Sequence, residues 1–178
     1  MNRRAAVLSM VLSLFAACPA FAQDAPPLAP APPPAQKPAD PDADRLKALM
    51  EGTRLKFAAL DGANQTFAVG FQPRVAKGKD KWVVMVQWSN PDTHGYVLAF
   101  CVMLKLDGEL PRRLLKAAMD YNSRTPGSKV SWDRKDGSID VQYEIPVQFA
   151  TPEYLAWAVQ DVVSTCDEQY AAFSELIE

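Results

Sequence analysis

Two hydrophobic periods take turns along residues 44–178, and the changeovers mark the elements. Asp42 and Asp44 precede Leu46, Leu49 and Met50, which recur at helical spacing until Gly52 closes the helix. Short strand-like runs follow, separated by turn residues. Leu55 to Leu60 is the first, closed by Asp61-Gly62, and Phe67, Val69 and Phe71 alternate in the second. A polar loop from Gln72 to Lys81 leads into a third run, where Trp82, Val84, Val86 and Trp88 share one face. Asn90 to Gly95 reads as a turn, and Tyr96 to Leu106 as a long apolar fourth strand.

The period then lengthens. Leu110, Leu114, Ala117, Ala118 and Tyr121 recur at helical spacing, with Pro111 in the first turn, where its missing N–H costs nothing, and Pro126-Gly127 as the stop. Val130 and Trp132 begin a hairpin whose turn is Asp136-Gly137. In its second arm Ile139, Val141, Tyr143 and Ile145 alternate with Asp140, Gln142, Glu144 and Pro146, which predicts one packed and one wet face. Thr151-Pro152-Glu153 opens the last helix with an N-cap and a proline at the first position. Its stripe runs Leu155, Ala158, Val159, Val162, Cys166, Tyr170, Phe173 and Ile177. The prediction is an α+β domain of order α-ββββ-α-ββ-α, with an antiparallel sheet of five or six strands packed by three helices.

The middle strands depart from simple alternation. Behind Trp82, Val84, Val86 and Trp88 stand Val83 and Met85; Tyr96, Leu98, Phe100, Val102 and Leu104 back onto Val97, Ala99, Cys101 and Met103. Both faces are apolar, so both should be covered. Either the helices cover both, or part of one face, with Val83, Met85 and Met103, is completed by a second subunit or a client segment. Methionine supplies the adaptable surface that such binding uses. Cys101 lies on the smaller-residue face, where a helix approaches closely, and Cys166 on the stripe of a helix that must pack on the sheet. A Cys101–Cys166 disulfide and two buried free thiols are the two readings.

The N-terminus changes the picture of where this domain works. Arg3 and Arg4, the apolar stretch Ala5 to Ala17, and Ala20-Phe21-Ala22 form the three parts of a signal peptide over residues 1–22, with cleavage before Gln23. The apolar stretch is short of the roughly 20 residues that a membrane span needs. Periplasmic export is therefore expected. Two rival export signals stand beside it: a twin-arginine signal at Arg3-Arg4, and a lipoprotein box at Phe15-Ala16-Ala17-Cys18, with Phe15 where leucine is usual and Cys18 as the acylated residue. Residues 24–42 read DAPPLAPAPPPAQKPADPD, a composition that favours extended polyproline II and builds no core. Residues 23–43 are expected to be a disordered spacer ahead of a single domain over 44–178.

Charge and chemistry narrow the function. Residues 1–22 hold Arg3 and Arg4 of the 19 basic residues and none of the 21 acidic ones, so the cleaved chain carries 17 basic against 21 acidic residues, a net charge of −4. A mildly acidic domain without a basic stripe is a poor nucleic-acid binder, and nothing after the signal is apolar enough to span a bilayer. Arg74, Lys77, Lys79 and Lys81 form a local basic cluster, either a solvated loop or a docking site for an acidic partner or anionic surface. The single histidine, His94, sits in a turn, so a nucleophilic triad has one imidazole at most to draw on. One histidine and two well-separated cysteines do not make a structural zinc site. Asp133, Asp136 and Asp140 lack the EF-hand spacing and its terminal glutamate. No cofactor is implied.

A helix, a meander, a middle helix ending in Met119-Asp120-Tyr121-Asn122-Ser123, a hairpin with an Asp-Gly turn and a long last helix together resemble the YbjN family, over roughly residues 44–177. That family resembles the type III secretion chaperones in fold. The resemblance implies a binding or regulatory role and carries no catalytic residues over. The signal peptide and the Pro-rich lead set this chain apart from the cytosolic type. The expected function is a non-catalytic periplasmic module that binds a protein partner or itself. The alternatives are an envelope protein holding an apolar small molecule and, third, a carboxylate-based hydrolase.

Overall fold

The computed structural model describes residues 41–60, 66–89 and 95–177. The signal peptide, Cys18, Gln23, the spacer up to residue 40, the Asp61-Gly62 turn and His94 lie outside the described residues. Within them run α1 (Pro41–Gly52), β1 (Phe57–Ala59), β2 (Thr66–Phe71), β3 (Trp82–Ser89), β4 (Tyr96–Lys105), α2 (Arg112–Arg124), β5 (Lys129–Asp133), β6 (Ser138–Pro146), a single 3-10 turn (Val147–Phe149) and α3 (Pro152–Ser174). The predicted order is thus the observed one. Helix α1 begins inside the segment assigned to the spacer, and β1 keeps only three residues of the predicted first run.

All strand pairs are antiparallel, in the order β1-β2-β3-β4-β6-β5. The meander fills one half, and the β5–β6 hairpin returns with β6 against β4. Its turn rests on Gly137, whose φ of 62° is left-handed, and on Asp133, whose Oδ1 accepts from Lys135 N at 2.8 Å and Asp136 N at 3.3 Å. The aspartate run that superficially resembled a calcium loop is in part this turn.

Helix α3 organises the core. Thr151 Oγ1 accepts from Tyr154 N at 3.2 Å, Pro152 takes the first turn, and Leu155, Ala158, Val159, Val162, Cys166 and Phe173 are all buried. The stripe lies across β3, β4 and β6, with α1 packed beside it. Each large side chain so buried contributes roughly 1.5–3 kcal/mol, so this one helix accounts for much of the hydrophobic stabilisation. Helix α2 sits over β5: Leu114 is fully buried, and Pro111 flanks the helix as its N-cap rather than entering the first turn. Asn122 treats Val130 as a neighbouring strand would, donating Nδ2–H to its carbonyl and accepting its N–H, both at 2.8 Å.

The α1–α3 contact depends on a missing side chain. A Cβ at Gly52 would meet Pro152 Cγ at 2.6 Å and Cβ at 2.8 Å, and a proline ring on the first turn of α3 cannot swing aside. We expect Gly52→Ala to destabilise the domain by about 1–3 kcal/mol, although alanine is the better helix former by about 1 kcal/mol. Chemical denaturation of the two proteins checks the sign.

Candidate binding face

The register places every strand residue on one of two faces. Phe67, Val69, Trp82, Val84, Val86, Val97, Ala99, Cys101, Ile139, Val141 and Ile145 share a face and are buried under the helices. On the other face Ala68, Met85 and Phe100 form a row across β2, β3 and β4, flanked by Val83, Leu98 and Val102. Among the described residues no helix packs over this row. Its side chains are half-buried apart from Val83, which is 39% exposed, and none of them joins the core cluster. Among the described residues the helices thus lie on one face of the sheet only, and the first of the two sequence readings, helices on both faces, does not describe this fold.

The open face is not the one composed at the sequence level. Val83 and Met85 are on it. Met103 is on the other side of the sheet, fully buried, and cannot share a patch with them. Leu104, grouped by alternation with Val102, also changes face. A β-bulge between Val102 and Leu104 adds one residue to β4, so Val102 stays opposite Asp140 while Leu104 meets Ile139 on the core side. Phe100 and Leu98, by contrast, belong to the patch.

Toward β6 the open face turns polar, through Asp140, Gln142 and Glu144. Asp140 Oδ1 is buried without a hydrogen-bond partner, and burial pushes its carboxyl above the ordinary aspartate value against the pull of Ser138 and Lys105. A second apolar surface lies on α3 and beyond it. Tyr143, Tyr154 and Trp157 pack together, with the two hydroxyls 2.9 Å apart, and leave Trp157 49% and the nearby Phe149 62% exposed. Sequence reasoning missed this cluster because Trp157 lies off the α3 stripe.

The basic loop is held from below by a residue that no sequence motif signals. Asp167 of α3 accepts Arg74 N and Val75 N on Oδ2, each at 2.9 Å, and Ala76 N at 3.1 Å and Trp82 Nε1 at 3.0 Å on Oδ1. Burial alone would raise this carboxyl; the indole and the three backbone donors outweigh it and hold the pKa below the ordinary value. The four cations do not act as one patch. Lys79 Nζ lies 5.2 Å from the Trp82 ring centroid and 4.8 Å from that of Tyr170, and Lys81 lies along Gly70, where a Cβ would meet its Cε at 2.5 Å. Arg74 and Lys77 are exposed. Among the described residues no group of three His, Cys, Asp or Glu could hold a metal ion, and no helix is long and apolar enough to cross a membrane.

The family model described as YbjN, "Putative bacterial sensory transduction regulator", matches residues 42–175. The chain belongs to the YbjN family. A search of curated proteins returned no match. Among solved structures, the YbjN domain is similar to a chain of the HopA1–SchA chaperone–effector complex, at 14% identity and a TM-score of 0.52, over 75% of this chain and 99% of that one. The shared fold is the α+β, secretion-chaperone-like arrangement described above.

Asp167 yields a prediction with a sign. A carboxyl whose folded pKa lies below its unfolded value adds stability above the ordinary carboxylate range and loses it as pH falls through the folded pKa. Asp167→Asn should cost about 2 kcal/mol at neutral pH, and the gap between the two proteins should narrow on acidification. Urea midpoints followed from about pH 7 to pH 3 measure both.

Proposed function

We propose that this YbjN-family chain is a non-catalytic periplasmic module that binds an apolar segment of a protein partner on the open face of its sheet. The observation that carries the reading is the Ala68–Met85–Phe100 row with Val83, Leu98 and Val102, an apolar patch on the middle strands with no helix over it among the described residues. Membership of a family described as regulatory supports it. So does the likeness to a chain from a chaperone–effector complex, a fold known in that case in company with a second protein. Trp82 and Asp167 brace the rim of the sheet, so the face is presented on a rigid scaffold.

The test places charge on the open face without touching the core. Met85→Glu and Phe100→Glu should cost about 1 kcal/mol or less of stability and abolish retention of a partner from envelope extract, or self-association seen by sedimentation. Leu115→Glu, on the exposed side of α2, serves as the control and should bind as wild type does. Equal behaviour of all three variants and wild type would sink the proposal.

The periplasmic part is tested separately by the N-terminus of the exported protein. Intact mass and N-terminal sequencing should find a chain beginning at Gln23. A chain beginning at a diacylated Cys18 would make it a lipoprotein instead, with the Pro-rich segment as the tether between lipid and domain.

A further inference from the structure

Cys101 and Cys166 are both buried, at 1% and 0% exposure, on the two elements whose contact forms the centre of the core. Cys101 stands mid-way along β4 between Val84 of β3 and Val141 of β6. Cys166 comes down on it from α3, with its Sγ 3.9 Å from the Cys101 carbonyl oxygen. Both are free thiols in this structure. The Cys166 thiol beside it holds the Cys101 thiol below the ordinary value, while burial pushes Cys166 up. Two cysteines brought together in this way by β4 and α3 are the arrangement that thiol–disulfide exchange closes into a bridge.

We propose that Cys101 and Cys166 form a structural disulfide that staples α3 to the central strand. The thiolate of either cysteine attacks one sulfur of a disulfide oxidant, either a protein disulfide carrier or oxidised glutathione, and forms a mixed disulfide while one thiol leaves. The other cysteine then gives up its proton, attacks the sulfur of the first and releases the second thiol. Two S–H bonds are lost, one S–S bond forms, and two electrons pass to the oxidant. Both sulfurs are out of reach once α3 has docked, so the exchange takes place during folding, and the finished bridge is protected from reductant by the same burial. That protection assigns it a structural rather than a switching role. The 65-position separation of the cysteines makes a long closed loop, the kind from which cross-linking removes most unfolded-state entropy. The expected signal peptide would deliver the chain to surroundings in which such bonds persist. The bridge lies under the covered face and is independent of partner docking on the open one.

The experiment uses the full chain, in which Cys18 is a built-in unpaired control. The protein is refolded in a glutathione buffer on the oxidising side, denatured without reductant, alkylated and digested. A linked Cys101–Cys166 peptide pair with Cys18 alkylated is the expected result; alkylation of all three cysteines, or a bridge to Cys18, overturns the proposal. Stability gives a second readout, because chain refolded with reductant should melt roughly 10 °C below the oxidised form. Cys166→Ala should melt at one temperature under both conditions. If wild type shows no dependence on the redox buffer, the two thiols contribute packing alone.

Discussion

Among the described residues three helices meet one six-stranded sheet, and that ratio constrains the rest of the described fold. Strands spaced about 4.8 Å apart put roughly 24 Å between the outermost two, and helices are about 10 Å across. Three helices side by side therefore cover one face and leave none for the other. Helix α3 takes the middle of the covered face through Leu155, Val159, Val162 and Cys166, with α1 packed against it and α2 over β5. The same arithmetic leaves Val83, Met85, Leu98, Phe100 and Val102 without a helix.

Asp167 shows how the covered layer is tied to the rim. A loop crossing from β2 to β3 must satisfy its backbone donors once it lies against a helix, since an unpaired buried N–H costs about 1–3 kcal/mol. One carboxylate takes three of them and the Trp82 indole as well, and so fixes the start of β3 relative to α3. Lys79 closes the arrangement by lying over Trp82 and Tyr170. Of the four basic residues Lys79 alone is partly buried in this way, and Arg74, Lys77 and Lys81 remain exposed.

The element order was legible because each changeover carries its own chemistry: Thr151-Pro152 as cap and first turn, Gly137 in a left-handed turn, Pro126 after α2. Local signals of this kind need no tertiary information. The division of β4 between faces was legible only as far as Val102, because the bulge after it shifts every later residue and alternation cannot register an inserted one. That is why Leu104 was grouped with Phe100, whereas Met103 was grouped with Met85 because alternation within each strand does not show that Met85 lies opposite Phe100 and Val84 opposite Cys101. Asp167 was invisible for a different reason: its partners lie 85 to 93 positions away, and an aspartate on a helix reads as solvated until the loop is placed above it. The adjacency of Cys101 and Cys166 needed only a small-residue strand face and a helix stripe, both of which the pattern supplies.

The open face can be compared with itself. In an antiparallel sheet with one face toward water, the exposed positions are ordinarily polar, and β6 obeys this with Asp140, Gln142 and Glu144. Strands β3 and β4 border the same solvent-facing surface and place Val83, Met85, Leu98, Phe100 and Val102 there instead. The described helices do not demand this, since none of them comes down on those positions. Apolar side chains kept at an uncovered place lower solubility and invite association. The contrast between β6 and β4 within one face thus sets a polar part beside an apolar one, and it is the apolar part on β3 and β4 that the glutamate substitutions at Met85 and Phe100 address.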